Sequence, residues 1–172
     1  WDHPRNVGAI GVTGSAAANE LAAHADLVLA VGTRLQDFTT ASHTLFQNPQ
    51  RRFVSINVCR HDVAKSDAVA VQGDAARSLE EIDALLGEPR ARADFAKRIK
   101  TLRASWHDAV EAATKDVGAA LPSDAQVLGA VNRTIGSRGT VVCAAGGLPG
   151  ELHKLWRAQD VDAYHLGYGY SG

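Results

Sequence analysis

The chain has no methionine and only two cysteines among its 172 residues. Cys59 and Cys143 lie far apart, each at the end of an apolar run, with no CxxC pair or Cys/His cluster beside them. This spacing speaks against a disulfide framework and a thiolate metal site, and it predicts two buried, reduced thiols. Aromatic residues make up only 6% of the chain, too few for a platform on which nucleobases stack. Neither sign of charge dominates, since 18 Lys and Arg stand against 19 Asp and Glu. A formal net charge of -1 gives no pull toward nucleic acid or an anionic membrane surface. No apolar run approaches the roughly 20 residues of a membrane-spanning helix. The opening Trp1-Asp2-His3-Pro4 has neither the basic start nor the apolar stretch of a secretion signal, so a cytoplasmic location is expected. The missing methionine, the loop-like opening and the close on Tyr168-Gly169-Tyr170-Ser171-Gly172 make a piece of a longer protein the expectation.

What is present is a strand–helix rhythm. Leu27-Val28-Leu29-Ala30-Val31 is a continuous apolar run before Gly32, which suits a strand covered on both faces. Further strands are predicted at 53–58, 68–71 and 140–144. Ser15 is placed to cap a helix over 16–23, and 75–86 reads as a helix with Leu79, Ile82, Leu85 and Leu86 on one face. Strands alternating with helices predict an α/β fold with a parallel, Rossmann-like sheet. From Glu88 to about Leu121 strand signals vanish, and Phe95, Ile99, Leu102, Trp106 and Val110 recur at helical spacing. This is a helical connector. After Pro122 the rhythm restarts, with Ser123 as N-cap, an apolar face of Val127, Leu128, Val131 and Ile135, the strand, a glycine turn and an amphipathic stretch from Glu151 to Arg157. The expected organisation is a domain over 1–87, the connector over 88–121, and the incomplete start of a second α/β domain over 122–172.

Three segments carry candidate chemistry. Gly11-Val12-Thr13-Gly14-Ser15 precedes a helix, and a glycine turn there can offer backbone amides and the positive dipole end to a phosphate. It is not GxGxxG, and Asn57 stands where a ribose-binding acid is expected, so a plain strand-to-helix turn fits as well. Arg34 and Asp37 follow the buried strand, where open α/β sheets bind ligands. The competing reading is an Arg–Asp pair that orders the loop, with Thr39 or Thr40 capping the next helix. Gly146-Gly147-Leu148-Pro149-Gly150 lets the backbone approach a diphosphate closely, or is a simple turn, with Pro149 suited to the first helical turn. The seven histidines form no HxH or HExxH pattern, although His153 and His165 flank that turn. No Ser/His/Asp order, carboxylate pair or GDG-plus-Asn magnesium motif is found, so no catalytic residue and no metal ligand is assigned.

Taken together, these blocks resemble the thiamine-diphosphate-dependent family that includes acetolactate synthase, pyruvate oxidase and related decarboxylases. The resemblance lies in the 11–14 turn, Asn19, Ala25 to Leu35, the strand Phe53 to Val58, and Gly73-Asp74, in the order of that family's middle domain of the DHS-like NAD/FAD-binding type. The strings Val31 to Thr40, Ser55-Ile56-Asn57-Val58, Ala144 to Gly150 and Tyr168 to Ser171 look like the branch that hydrolyses a cyclic 1,2-diketone in myo-inositol catabolism. Where the family carries an acid near the end, this chain has Gly167. The resemblance implies a parent that cleaves a carbon–carbon bond to give 5-deoxyglucuronate, using thiamine diphosphate and Mg2+, as a homo-oligomer acting on a small molecule. It implies that Gly146, Gly147, Leu148, Tyr170 and Ser171 lie on the thiamine diphosphate side. Gly11, Gly14, Arg34 and Asp37 would be a vestigial nucleotide-type site. The activating glutamate and the magnesium motif belong to flanking domains of the same chain. This chain alone is therefore expected to be mainly structural, with no tightly bound cofactor. An alternative is a middle domain of acetolactate synthase or decarboxylase type that holds FAD or another adenine nucleotide through Arg34 and the 11–14 turn. A third reading makes 88–121 an oligomer contact.

Overall fold

The apolar run Leu27–Val31 forms β1 of a three-stranded parallel sheet in the order β1-β2-β3. β2 is Arg52–Asn57 and β3 is Val69–Gln72. Val31 lies opposite Ile56, and Ile56 opposite Val71. Ile56, at the centre, is fully buried, which contributes about 1.5–3 kcal/mol relative to an exposed side chain. The computed structural model describes residues 2–88, 92–118 and 120–167.

The chain divides into two compact units, one of Ile10–Val12 and Asn19–Lys97, the other of Trp1–Ala9, Thr13–Ala18 and Arg98–Gly172. The first unit holds the three-stranded sheet. Its core gathers Ala30, Leu35 and Phe53, with Val28, Phe46 and Ala68 packed against them. Phe46 meets Phe53 edge-on at 5.1 Å, a favoured aromatic geometry. Short helices α2 (Asp37–Thr40) and α3 (Arg60–Val63) follow β1 and β2. α4 (Ala75–Leu86) is capped by Asp74, whose side chain accepts from the Arg77 amide. Its apolar stripe is not buried as expected, and Leu85 is 87% exposed. β2 ends one residue earlier than expected, and Val58 lies open to solvent.

The second unit is mainly helical. α5 spans Ala93–Thr114, so the connector is one long helix whose residues from Arg98 belong here. α6 (Asp124–Ile135) begins with a full capping box: Ser123 accepts from the Gln126 amide, and the Gln126 side chain accepts from the Ser123 amide. β4 (Val141–Cys143) pairs in parallel with β5 (Tyr164–Leu166). Between them lies α7 (Gly147–Leu155). The core is Val110, Leu128, Leu152 and Leu155, backed by Trp106, Val141, Trp156 and Tyr164. Helix α1, Ala16–Ala23, has its first residues in this unit.

Three further expectations change. β5 is an additional strand. The 151–157 helix starts four residues earlier, at Gly147, so most of the glycine turn is helical. Cys59 is exposed rather than buried, because it sits past the end of β2 at the N-cap of α3, whereas Cys143 is half-buried; both are free thiols. Among the described residues, no helix is long and apolar enough to cross a membrane.

Candidate functional site

In the sheet-bearing unit, Gly11 is committed to its own fold. Its φ is +92°, and a Cβ there would lie 2.1 Å from the Phe38 carbonyl oxygen. Its N–H donates to Asn19 Oδ1 at 2.8 Å, and its carbonyl accepts from Asn19 Nδ2 at 2.9 Å. The Val12 N–H donates to Phe38 O at 2.9 Å. Two amides of the turn thus already have protein acceptors, and Asn19 is the clamp. Gly14, half-buried, precedes Ser15, whose hydroxyl accepts from the Ala18 amide as the expected cap of α1.

Arg34 and Asp37 are exposed and do not pair as expected; each has a different partner. Arg34 donates to Gln36 Oε1 at 3.2 Å, and Asp37 accepts from the Ser42 hydroxyl at 3.2 Å. Thr40 does not cap a following helix. Its hydroxyl donates back to Gln36 O and closes α2. Asn57, the residue in the ribose-acid position, uses both ends of its amide internally. Nδ2 donates to Thr33 O at 3.1 Å, and Oδ1 accepts from the Cys59 amide at 2.9 Å. It ties the loop after β1 to the end of β2. Nearby, Lys65 pairs with Asp62 at 2.6 Å, and this contact holds the Asp62 carboxyl below its usual range.

In the second unit, Gly146 adopts φ +133° and forms the N-cap of α7. Gly147 is the first helical residue, with nothing within 4 Å of where a Cβ would be, and Leu148 is partly exposed. Pro149 falls in the first turn, where a missing N–H costs nothing. A helix start with open space and no side chain at its first residue fits close approach of a diphosphate to backbone amides. Tyr170 and Ser171 lie outside the described residues. Among the described residues, no group of three His, Cys, Asp or Glu could hold a metal ion.

A cavity of about 280 Å³ opens in this same unit, lined by the 6–9 segment, by α5 from Arg103 to Val110, and by 153–158 with Tyr164. His153 Nδ1 is 3.1 Å from the Tyr164 hydroxyl. Burial lowers the His153 pKa, which keeps the ring neutral. His107 is lowered too, first by burial and then by the positive charges of Arg157 and Arg103. Arg157 pairs with Glu111, and this contact lowers the Glu111 pKa. Of the two histidines singled out in the sequence, His153 lines the cavity, whereas His165 points from β5 into solvent. Arg103 and His107 carry no motif in the sequence, and Trp106 reads there only as part of the connector's apolar stripe. Their spacing, at i, i+3 and i+4 of one helix, places them on one face.

Residues 1–82 match the family described as thiamine pyrophosphate enzyme, central domain, and this part of the chain belongs to that family. Over nearly its whole length the chain is similar to proteins named 3D-(3,5/4)-trihydroxycyclohexane-1,2-dione hydrolase. It is 36% identical to the one from Clostridium perfringens, with 98% of this chain and 30% of that protein covered. It is 37% identical to the one from Halalkalibacterium halodurans, over 96% of this chain and 30% of the relative. It is 35% identical to the one from Shouchella clausii, over 99% and 30%. The chain spans about three tenths of the length of these relatives.

Proposed function

We propose that this chain is the central part of a thiamine-diphosphate-dependent hydrolase that opens a cyclic 1,2-diketone by carbon–carbon bond hydrolysis. The observation that carries this reading is similarity to the trihydroxycyclohexanedione hydrolases across 96–99% of the chain, past the central-domain match and through the helix that starts at Gly147.

Within that protein the three-stranded unit acts as scaffold. The internal bonding of Gly11, Val12 and Asn57 supports this, because those groups are spent on the fold rather than held for a nucleotide. The amides of Gly147 and Leu148 would face the diphosphate of the cofactor. Thiamine diphosphate, when bound, supplies the electron sink that stabilises a carbanion. Mg2+ would be held by residues of flanking domains, and the working form would be a cytoplasmic homo-oligomer.

Titration calorimetry of the 172-residue chain with thiamine diphosphate and Mg2+ tests the division of labour. The expected result is no tight binding, since one helix start cannot complete the site. Micromolar binding to this chain alone would overturn it.

A further inference from the structure

We propose that the cavity beside α5 and α7 is a binding site for a small organic oxyanion with a flat or apolar body. Arg103, Lys154 and Arg157 line it, and among the described residues no carboxylate does. The side chains of Lys154 and Arg157 are only 25% and 24% exposed, so their charges act through a partly desolvated medium, where Coulomb attraction is stronger than in water. Their acidic partners stand outside the lining and are more open to solvent: Glu151 is 39% exposed and Glu111 67%. An oxyanion inside the cavity would meet Lys154 and Arg157 as lining residues, whereas Glu151 and Glu111 are not part of the lining.

The walls suit the rest of such a ligand. Trp106, Trp156, Val110 and Leu155 give flat and aliphatic surface, and the Tyr164 hydroxyl with the His153 ring supplies a polar end. The volume, about 280 Å³, lies at the lower edge of the ~300–1,000 Å³ of small-molecule pockets, which fits one ring and a charged head. The site is built wholly from residues of the helical unit. It rests on neither the cofactor nor the substrate proposed above.

Titration calorimetry of the chain at low ionic strength with benzoate, phenyl phosphate and neutral benzamide tests it. The oxyanions should bind at least about tenfold more tightly than benzamide. Added salt should narrow that gap. R103Q and K154Q should each weaken the oxyanions about threefold or more and leave benzamide unchanged. Benzamide binding as tightly as benzoate, or neither oxyanion binding at millimolar concentration, would overturn the proposal. Should a variant fail to fold by circular dichroism, the comparison of ligands on the unaltered chain still decides.

Discussion

The Tyr164 hydroxyl is shared by two side chains: His153 Nδ1 lies 3.1 Å from it, and the Cys143 thiol donates to it at 3.6 Å. A neutral imidazole accepts from the hydroxyl at Nδ1, while an imidazolium has no acceptor to offer. Burial holds the His153 pKa below its ordinary 6.5, so the unfolded chain binds this proton more readily than the folded one. Stability from this group is then complete above about pH 6.5 and is lost as pH falls through the lowered folded pKa. The thermal midpoint should drop as pH is taken from 7.5 toward 5. His107 is shifted in the same direction, so His153→Asn should flatten part of that slope. A variant whose pH profile parallels the unaltered chain would contradict the assignment.

Gly11→Ala should be severe. The added Cβ meets the Phe38 carbonyl at 2.1 Å, and φ +92° is strained for any L side chain. A loss of about 2 kcal/mol or more is expected in urea unfolding. Gly147→Ala meets open space at a helical position and should be neutral or slightly stabilising.

Asn57→Asp restores the acid that nucleotide-binding turns carry, yet it should not create a nucleotide site. The new carboxylate would face the Thr33 carbonyl that Nδ2 now serves. The expected cost is about 1–3 kcal/mol in urea unfolding. No thermal stabilisation by FAD, ADP or NAD should appear with either the Asn or the Asp chain. Stabilisation of the Asn57 chain by any of them would restore the flavin-type alternative.

Ser123→Ala removes the hydroxyl half of the capping box on α6 and should cost about 1 kcal/mol. Ser123→Thr or Ser123→Asp should recover most of it, which separates capping from packing.

The parts legible in the sequence are those with local causes. β1 follows from five apolar residues ended by Gly32, and α1, α4 and α6 follow from periodicity and the caps Ser15, Asp74 and Ser123. α7 starts earlier than expected because its opening glycines read as a turn, whereas Pro149 falls in the first helical turn as its residue type suggests. At the first helical positions the amides have no intrahelical partner, so proline is tolerated there. Arg34 and Asp37 have helix-like spacing, but Leu35 takes φ +44° and α2 begins only at Asp37, which gives the acid to Ser42. β5 was hidden because Tyr164-His165-Leu166 is too short to show a period. The cavity was invisible because its walls come from segments about 50 to 100 residues apart along the chain.

The proposed role of this chain is scaffold and one cofactor edge of a ring-opening hydrolase. The direct measurement is an assay of the protein that carries this chain together with flanking domains, using 3D-(3,5/4)-trihydroxycyclohexane-1,2-dione, with and without thiamine diphosphate. Ring opening that requires thiamine diphosphate, and that the 172-residue chain alone does not perform, is the predicted result. Failure of the complete protein to open the ring, with formation of acetolactate from pyruvate instead, would contradict it.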